Sequence, residues 1–204
     1  MAVTLLVAIS IPFLLPARFS LGPRWVVPAA EALLLLVLML ADPGRIDRQT
    51  ALVRAISIGL VIVLVVGAAG ATARMVGDII EGGPETNSAG QLLRDGFLVW
   101  LYAIITFAFL YWELDGGGPE ARAQGLPEFP DLAFPEQLNP GVAPPWWRPQ
   151  FFDYLYLGFT NATAFSPTDV MPLRHWAKLA MAAQATASLL ILGLVIARAI
   201  NILK

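Results

Sequence analysis

The chain has no cysteine and a single histidine, His175, among its 204 residues. Without thiols it can form no disulfide, iron–sulfur cluster, thiolate zinc site or cysteine nucleophile, and one imidazole cannot make a multi-histidine metal site. Charge is also scarce: Asp, Glu, Lys and Arg make up 14% of the residues, against about a quarter in soluble domains. Thirteen basic and fifteen acidic side chains give a net charge of −2 without any run of like charge. No basic patch is therefore available to follow a phosphate backbone, and nucleic acid is not an expected partner. The glycines at 116–118 lack the lysine and hydroxyl of a phosphate loop, and neither Gly-x-Ser-x-Gly nor His-Glu-x-x-His occurs. No enzymatic activity and no cofactor is expected.

What the chain does have is apolar length. It is 57% hydrophobic with a mean hydropathy of +0.69, the composition of an integral membrane protein. Crossing about 30 Å of hydrocarbon takes roughly 20 apolar helical residues. Four stretches qualify: 25–41 (interrupted only by Glu31), 55–73, 96–112 and 179–197. A fifth, 2–17, is uncharged but shortened by Pro12 and Pro16, which suits a short crossing or an interfacial helix. A secretory signal is the competing reading of that stretch, yet no basic residue precedes it and no small-residue cleavage pattern closes it before Pro16 and Arg18.

The connections differ in character. Residues 42–54 are short and carry Arg45, Arg48 and Arg54, whereas 113–150 is long, rich in proline and glycine, and holds six acids against Arg122 and Arg148. Irregular, partly extended backbone is expected there. Its acidity favours the outer face, although basic residues divide seven to six between the two sides and do not set the orientation. Tryptophans 25, 100, 112, 146, 147 and 176 read mainly as interface anchors.

The last 55 residues carry the functional signal. Between 149 and 159 lies a short aromatic, helix-compatible segment, with Pro149 suited to a first turn and Asp153 near that turn's positive end. A polar stretch over 160–169 follows, and then Val170, Met171, Pro172 and Leu173 lead into the final apolar helix. A helix too short to span, a polar return and a full span together describe a re-entrant loop. Such backbone is tolerated at membrane depth only under protein cover or beside a water-filled cavity.

This segment resembles the pore module of the tetrameric potassium-channel superfamily, with its pore helix, threonine-led loop, Asp-x-x-Pro exit at Asp169 to Pro172 and inner helix. In that resemblance Thr160 and Thr163 take the places of the family's threonines. Lys178 takes that of the basic residue opening the inner helix, and Ser188 that of the glycine hinge. The stretch 164–168 departs from the family because it has no glycine, and a carbonyl ladder needs alternate residues at positive φ. Pro167 fixes its own φ and restricts Ser166, so potassium selectivity by that route is not expected. Over its whole length the chain also resembles a bacterial polytopic membrane protein family of unknown function. Shared features are the aromatic run, Phe165-Ser166, Asp169-Val170, the ending Ala199-Ile200-Asn201, and residues 112–115 closing the preceding span. The resemblance implies a channel-like ending.

Several residues admit two readings. Gln184 and Ser188 stand four apart on the last helix, in a stripe with Ala177 and Met181, and either line a water-filled axis or seal a dry helix seam. Glu31, six residues into a span, is either a proton or cation site or is partly hydrated or paired with an arginine. Glu113, Asp115 and the loop acids either concentrate cations at an outer mouth or form a solvated face. Arg198 reads as a snorkelling anchor.

The sequence thus predicts an all-α polytopic protein of four or five transmembrane helices plus a re-entrant helix and loop. Its parts are N-terminal helices over 1–114, an acidic loop over 115–148 and a pore-like module over 149–204. The expected function is a weakly selective cation pore in a bacterial inner membrane, formed by a homo-oligomer, most simply a tetramer, with monovalent cations as permeant ions. Its ion pathway is expected at Thr160, Asn161, Thr163, Ser166, Thr168 and Asp169, with Gln184 and Ser188 lining the inner helix. The alternative is a non-conducting membrane structural or accessory protein that keeps the module's shape.

Overall fold

The computed structural model describes residues 1–41, 51–82, 88–126, 128–139, 141–144, 146–164 and 169–203. It is all-α, with eight α-helices among these residues and one two-residue strand pair. The helices are α1 (Ala2–Leu14), α2 (Val26–Ala41), α3 (Ala51–Glu81), α4 (Ala89–Leu114), α5 (Pro119–Ala123), α6 (Pro135–Leu138), α7 (Phe151–Ala164) and α8 (His175–Ile202). Three of them, α3, α4 and α8, are long and apolar enough to cross a membrane, whereas α1 and α2 are apolar but shorter.

Helix α4 is the hub and the most enclosed of the three long helices, packing against α1, α3, α7 and α8. Its apolar positions are buried on nearly every side, from Val99 through Ile104 and Ile105 to Ala108 and Phe109. A helix apolar all round belongs inside a bundle or in a membrane, and this one is enclosed in the bundle and long and apolar enough to cross a bilayer. The main core joins Leu5, Ala8 and Ile11 of α1, Leu60, Leu64 and Met75 of α3, and Ile191 and Val195 of α8 around it.

Both α7 and α8 run antiparallel to α4. Tyr154 reaches Asp115 just beyond the end of α4, Gly158 lies against Ile104 and Ala108, and the Phe159 ring meets Trp100. Along α8, Trp176 bonds Asp131, Gln184 bonds Tyr111, and Val195 lies against Gly96. Helix α7 therefore starts at the end of α4 and stops beside its middle. The chain is back at its starting end by strand β2 (Met171–Pro172), which pairs antiparallel with β1 (Leu132–Ala133) of the preceding loop. Leu173 N–H extends the pairing to the Asp131 carbonyl at 2.8 Å.

The acidic loop departs from the irregular backbone expected of it, because one carboxylate organises it. Asp115 is buried; its Oδ1 accepts the backbone N–H groups of Asp131 and Leu132 at 3.0 and 2.9 Å, and its Oδ2 accepts the Tyr154 hydroxyl at 2.5 Å. Arg122, also buried, donates to the carbonyls of Trp112 and Asp115 and lies over the rings of Trp112 and Tyr154. Glu113 is buried as well, so these two acids are structural and do not face an outer mouth. A second core of Leu132, Phe134, Tyr154, Leu157, Val170 and Met181 seals the loop onto α7 and α8.

Candidate functional site

The candidate site is the short helix α7 where it meets α4 and α8. Its start follows the sequence: Asp153, in the first turn, accepts the Gln150 N–H at 2.6 Å and places negative charge at the helix's positive end. Its end does not. The helix continues through Ala164, five residues beyond the expected stop at 159, so Thr160, Asn161 and Thr163 are helical and not loop residues. Turn-forming residues persist in this helix because their side chains find partners that keep the backbone wound. Thr160 Oγ1 donates to the carbonyls of Tyr156 and Leu157, and Thr163 Oγ1 to those of Phe159 and Thr160.

Asn161 points inward. It is buried, and its Nδ2 donates to the Met181 carbonyl at 3.0 Å and to Gln184 Oε1 at 2.8 Å. Gln184 is wholly enclosed: Oε1 also accepts the Tyr111 hydroxyl at 2.7 Å, and Nε2 donates to the Gly158 carbonyl at 2.7 Å. The Gln184 amide of α8 thus joins Tyr111 of α4 to Gly158 and Asn161 of α7. Gly158 permits this close approach, since a Cβ there would lie 3.1 Å from the Ile104 carbonyl oxygen of α4. Ser188, one turn further along α8, is equally buried, and its Oγ has no partner among the described residues.

The expectation that Gln184 and Ser188 line an axis is corrected by this geometry. Both face the interior of the α4–α7–α8 junction, the dry-seam reading of the stripe. The face of α8 left uncovered within the chain carries Ala182, Ala183, Thr186, Leu190 and Gly193. Several of these, with Ala68, Ala69 and Thr72 of α3, border an apolar cleft of about 720 Å³. Asp169 is exposed where the chain turns back, and Ser166 and Thr168 lie outside the described residues.

Sequence reasoning missed Tyr111, Gly158, Tyr154 and the pair formed by Glu31 and Tyr102. The signal available was a pair of tyrosines, 102 and 111, inside the apolar stretch 96–112, and a tyrosine and a lone glycine in the aromatic segment that follows the loop. Of the two readings of Glu31, a proton or cation site and a hydrated or arginine-paired acid, the second does not describe its surroundings. Glu31 is fully buried, with Oε1 accepting the Tyr102 hydroxyl at 2.7 Å.

Three helices able to cross a bilayer, one of them the buried hub, define an all-α protein with the make-up of a multi-pass membrane protein. No family model, characterised protein or solved structure matches this chain.

Proposed function

We propose that the chain is a channel-like integral membrane protein whose homo-oligomer forms a weakly selective cation pore, with α7 as a re-entrant pore helix. The observation that carries this reading is the path of residues 132–176. The chain leaves one end of α4 and descends as a 14-residue helix, about 21 Å long and short of the roughly 30 Å hydrocarbon thickness. It has returned to the same end before α8 begins. The helix ends in threonines, with Thr163 exposed and Thr160 partly so. Its carbonyl end carries the negative pole of the helix dipole, which favours a cation in mid-membrane. Small residues on the free face of α8 suit close packing against neighbouring copies around an axis.

One observation favours the second reading, a non-conducting structural or accessory protein. The Gln184 amide, the Asn161 Nδ2 and the hydroxyls of Thr160 and Thr163 are engaged within the chain. The two readings separate in liposomes. Purified protein of verified oligomeric state is expected to pass potassium and sodium with a ratio near one, because 164–168 has no glycine. Strong potassium preference would overturn the filter argument, and no flux from the assembled oligomer would leave the accessory reading.

A further inference from the structure

Glu31 plays no part in the pore reading, yet an acid at membrane depth costs on the order of 2.5 kcal/mol or more unless something compensates it. Oε1 accepts the Tyr102 hydroxyl, and Oε2 has no hydrogen-bond partner among the described residues. The same tyrosine lines a cavity of about 20 Å³, enough for one water molecule. The cavity is walled by Pro12, Leu15, Val27, Gly67 and Ala71, and on its remaining side by the α1–α2 connection. Leu21, Pro23 and Arg24 of that connection are exposed. Tyr102 thus borders both the cavity and Glu31. Gly67 leaves room for the tyrosine there, since a Cβ at that position would sit 2.5 Å from the Tyr102 hydroxyl.

We propose that Glu31 is a proton-binding site, loaded from solvent through a single cavity water and the Tyr102 hydroxyl. The hydroxyl donates to Glu31 and keeps its own lone pairs free to accept from a water on the cavity side. An excess proton on that water forms a new O–H bond at the Tyr102 oxygen as the existing phenol O–H bond breaks and its proton moves to Oε1. The phenol ends neutral, the water is restored and the carboxylate becomes a carboxylic acid. Unloading reverses each step. Among the described residues, α1, α2 and α3 present Pro12, Leu15, Val27, Gly67 and Ala71 to the cavity, and α4 presents Tyr102. The connection presents Arg24, whose guanidinium is held by the Leu15 carbonyl at 2.5 Å. Arg18, nearby in sequence, is paired with Asp78.

The site is independent of conduction, and infrared difference spectroscopy of the full protein in lipid reads it directly. A protonated-carboxyl band that grows as the pH falls and shifts in deuterated water is expected, and it should be missing from Glu31→Gln, which keeps the side chain's shape. Tyr102→Phe should retain the band and slow its deuterium exchange at least tenfold. A titrating band that survives in Glu31→Gln would assign the proton elsewhere and overturn the proposal, as would a Glu31 band that neither titrates nor exchanges. Exchange as fast in Tyr102→Phe as in the native protein would overturn the tyrosine route.

Discussion

Gln184 shows how one side chain ties three helices together. Its oxygen takes two donors, from Tyr111 and Asn161, and its nitrogen serves the Gly158 carbonyl, so truncation leaves groups on both α4 and α7 unpaired. Interhelical hydrogen bonds inside membrane bundles average about 0.6 kcal/mol each, because the separated helices also find partners. Three such bonds give about 2 kcal/mol. Gln184→Ala is therefore expected to destabilise the protein by about 2 kcal/mol in reversible detergent denaturation. Tyr111→Phe should cost about a third of that, and the double variant should show a coupling of about 0.6 kcal/mol. Additive losses would mean that the two side chains do not meet. The four-residue spacing of Gln184 and Ser188 was legible in the sequence, but the direction of the stripe was not. That direction depends on how close α7 can come, which Gly158 decides by leaving room at the Ile104 carbonyl.

At the scale of elements, three of the four long apolar runs located helices able to cross a membrane, while 25–41 forms the shorter α2; a run of that length has few ways to be satisfied except as a buried or lipid-facing helix. The predicted run 96–112 lies inside α4, and 179–197 inside α8. Local composition misled where a distant partner overrides it. The proline-rich loop read as irregular, but Asp115 collects N–H groups sixteen and seventeen residues away. The same carboxylate accepts the Tyr154 hydroxyl, so the loop and α7 are held by one side chain. The strand pair that results makes a topological prediction. Single cysteines at Phe129, Met171 and Leu203, all exposed, can be labelled with an impermeant reagent in sealed vesicles. Positions 129 and 171 are expected to react from one side and 203 from the other. Opposite-side reaction of 129 and 171 would make α7 a crossing and remove the re-entrant reading.

For the whole molecule, the question is which surface would meet water if copies assemble around an axis. The interior of the chain is closed to that role: Gln184 and Ser188 face α4 and α7, and Asn161 is turned toward α8. Any axis must then run along a face that one chain leaves bare. On α8 that face holds Thr186 as its only exposed hydroxyl between 179 and 197, with Ala182 one turn before it and Gly193 two turns after it. Helical periodicity sets Thr186 away from the buried line of Met181, Gln184, Ser188 and Ile191. The native chain has no cysteine, so engineered thiols report without background. Cysteines at 182, 184, 186 and 188, exposed in lipid to a charged membrane-impermeant thiol reagent, are expected to react at 182 and 186 and to be protected at 184 and 188. Protection at all four would put the free face of α8 against lipid or a neighbouring helix, removing the water-filled path along it and favouring the accessory reading. Reaction at 184 and 188 would require the α4–α7–α8 junction to open to water, which three shared hydrogen bonds to Gln184 oppose.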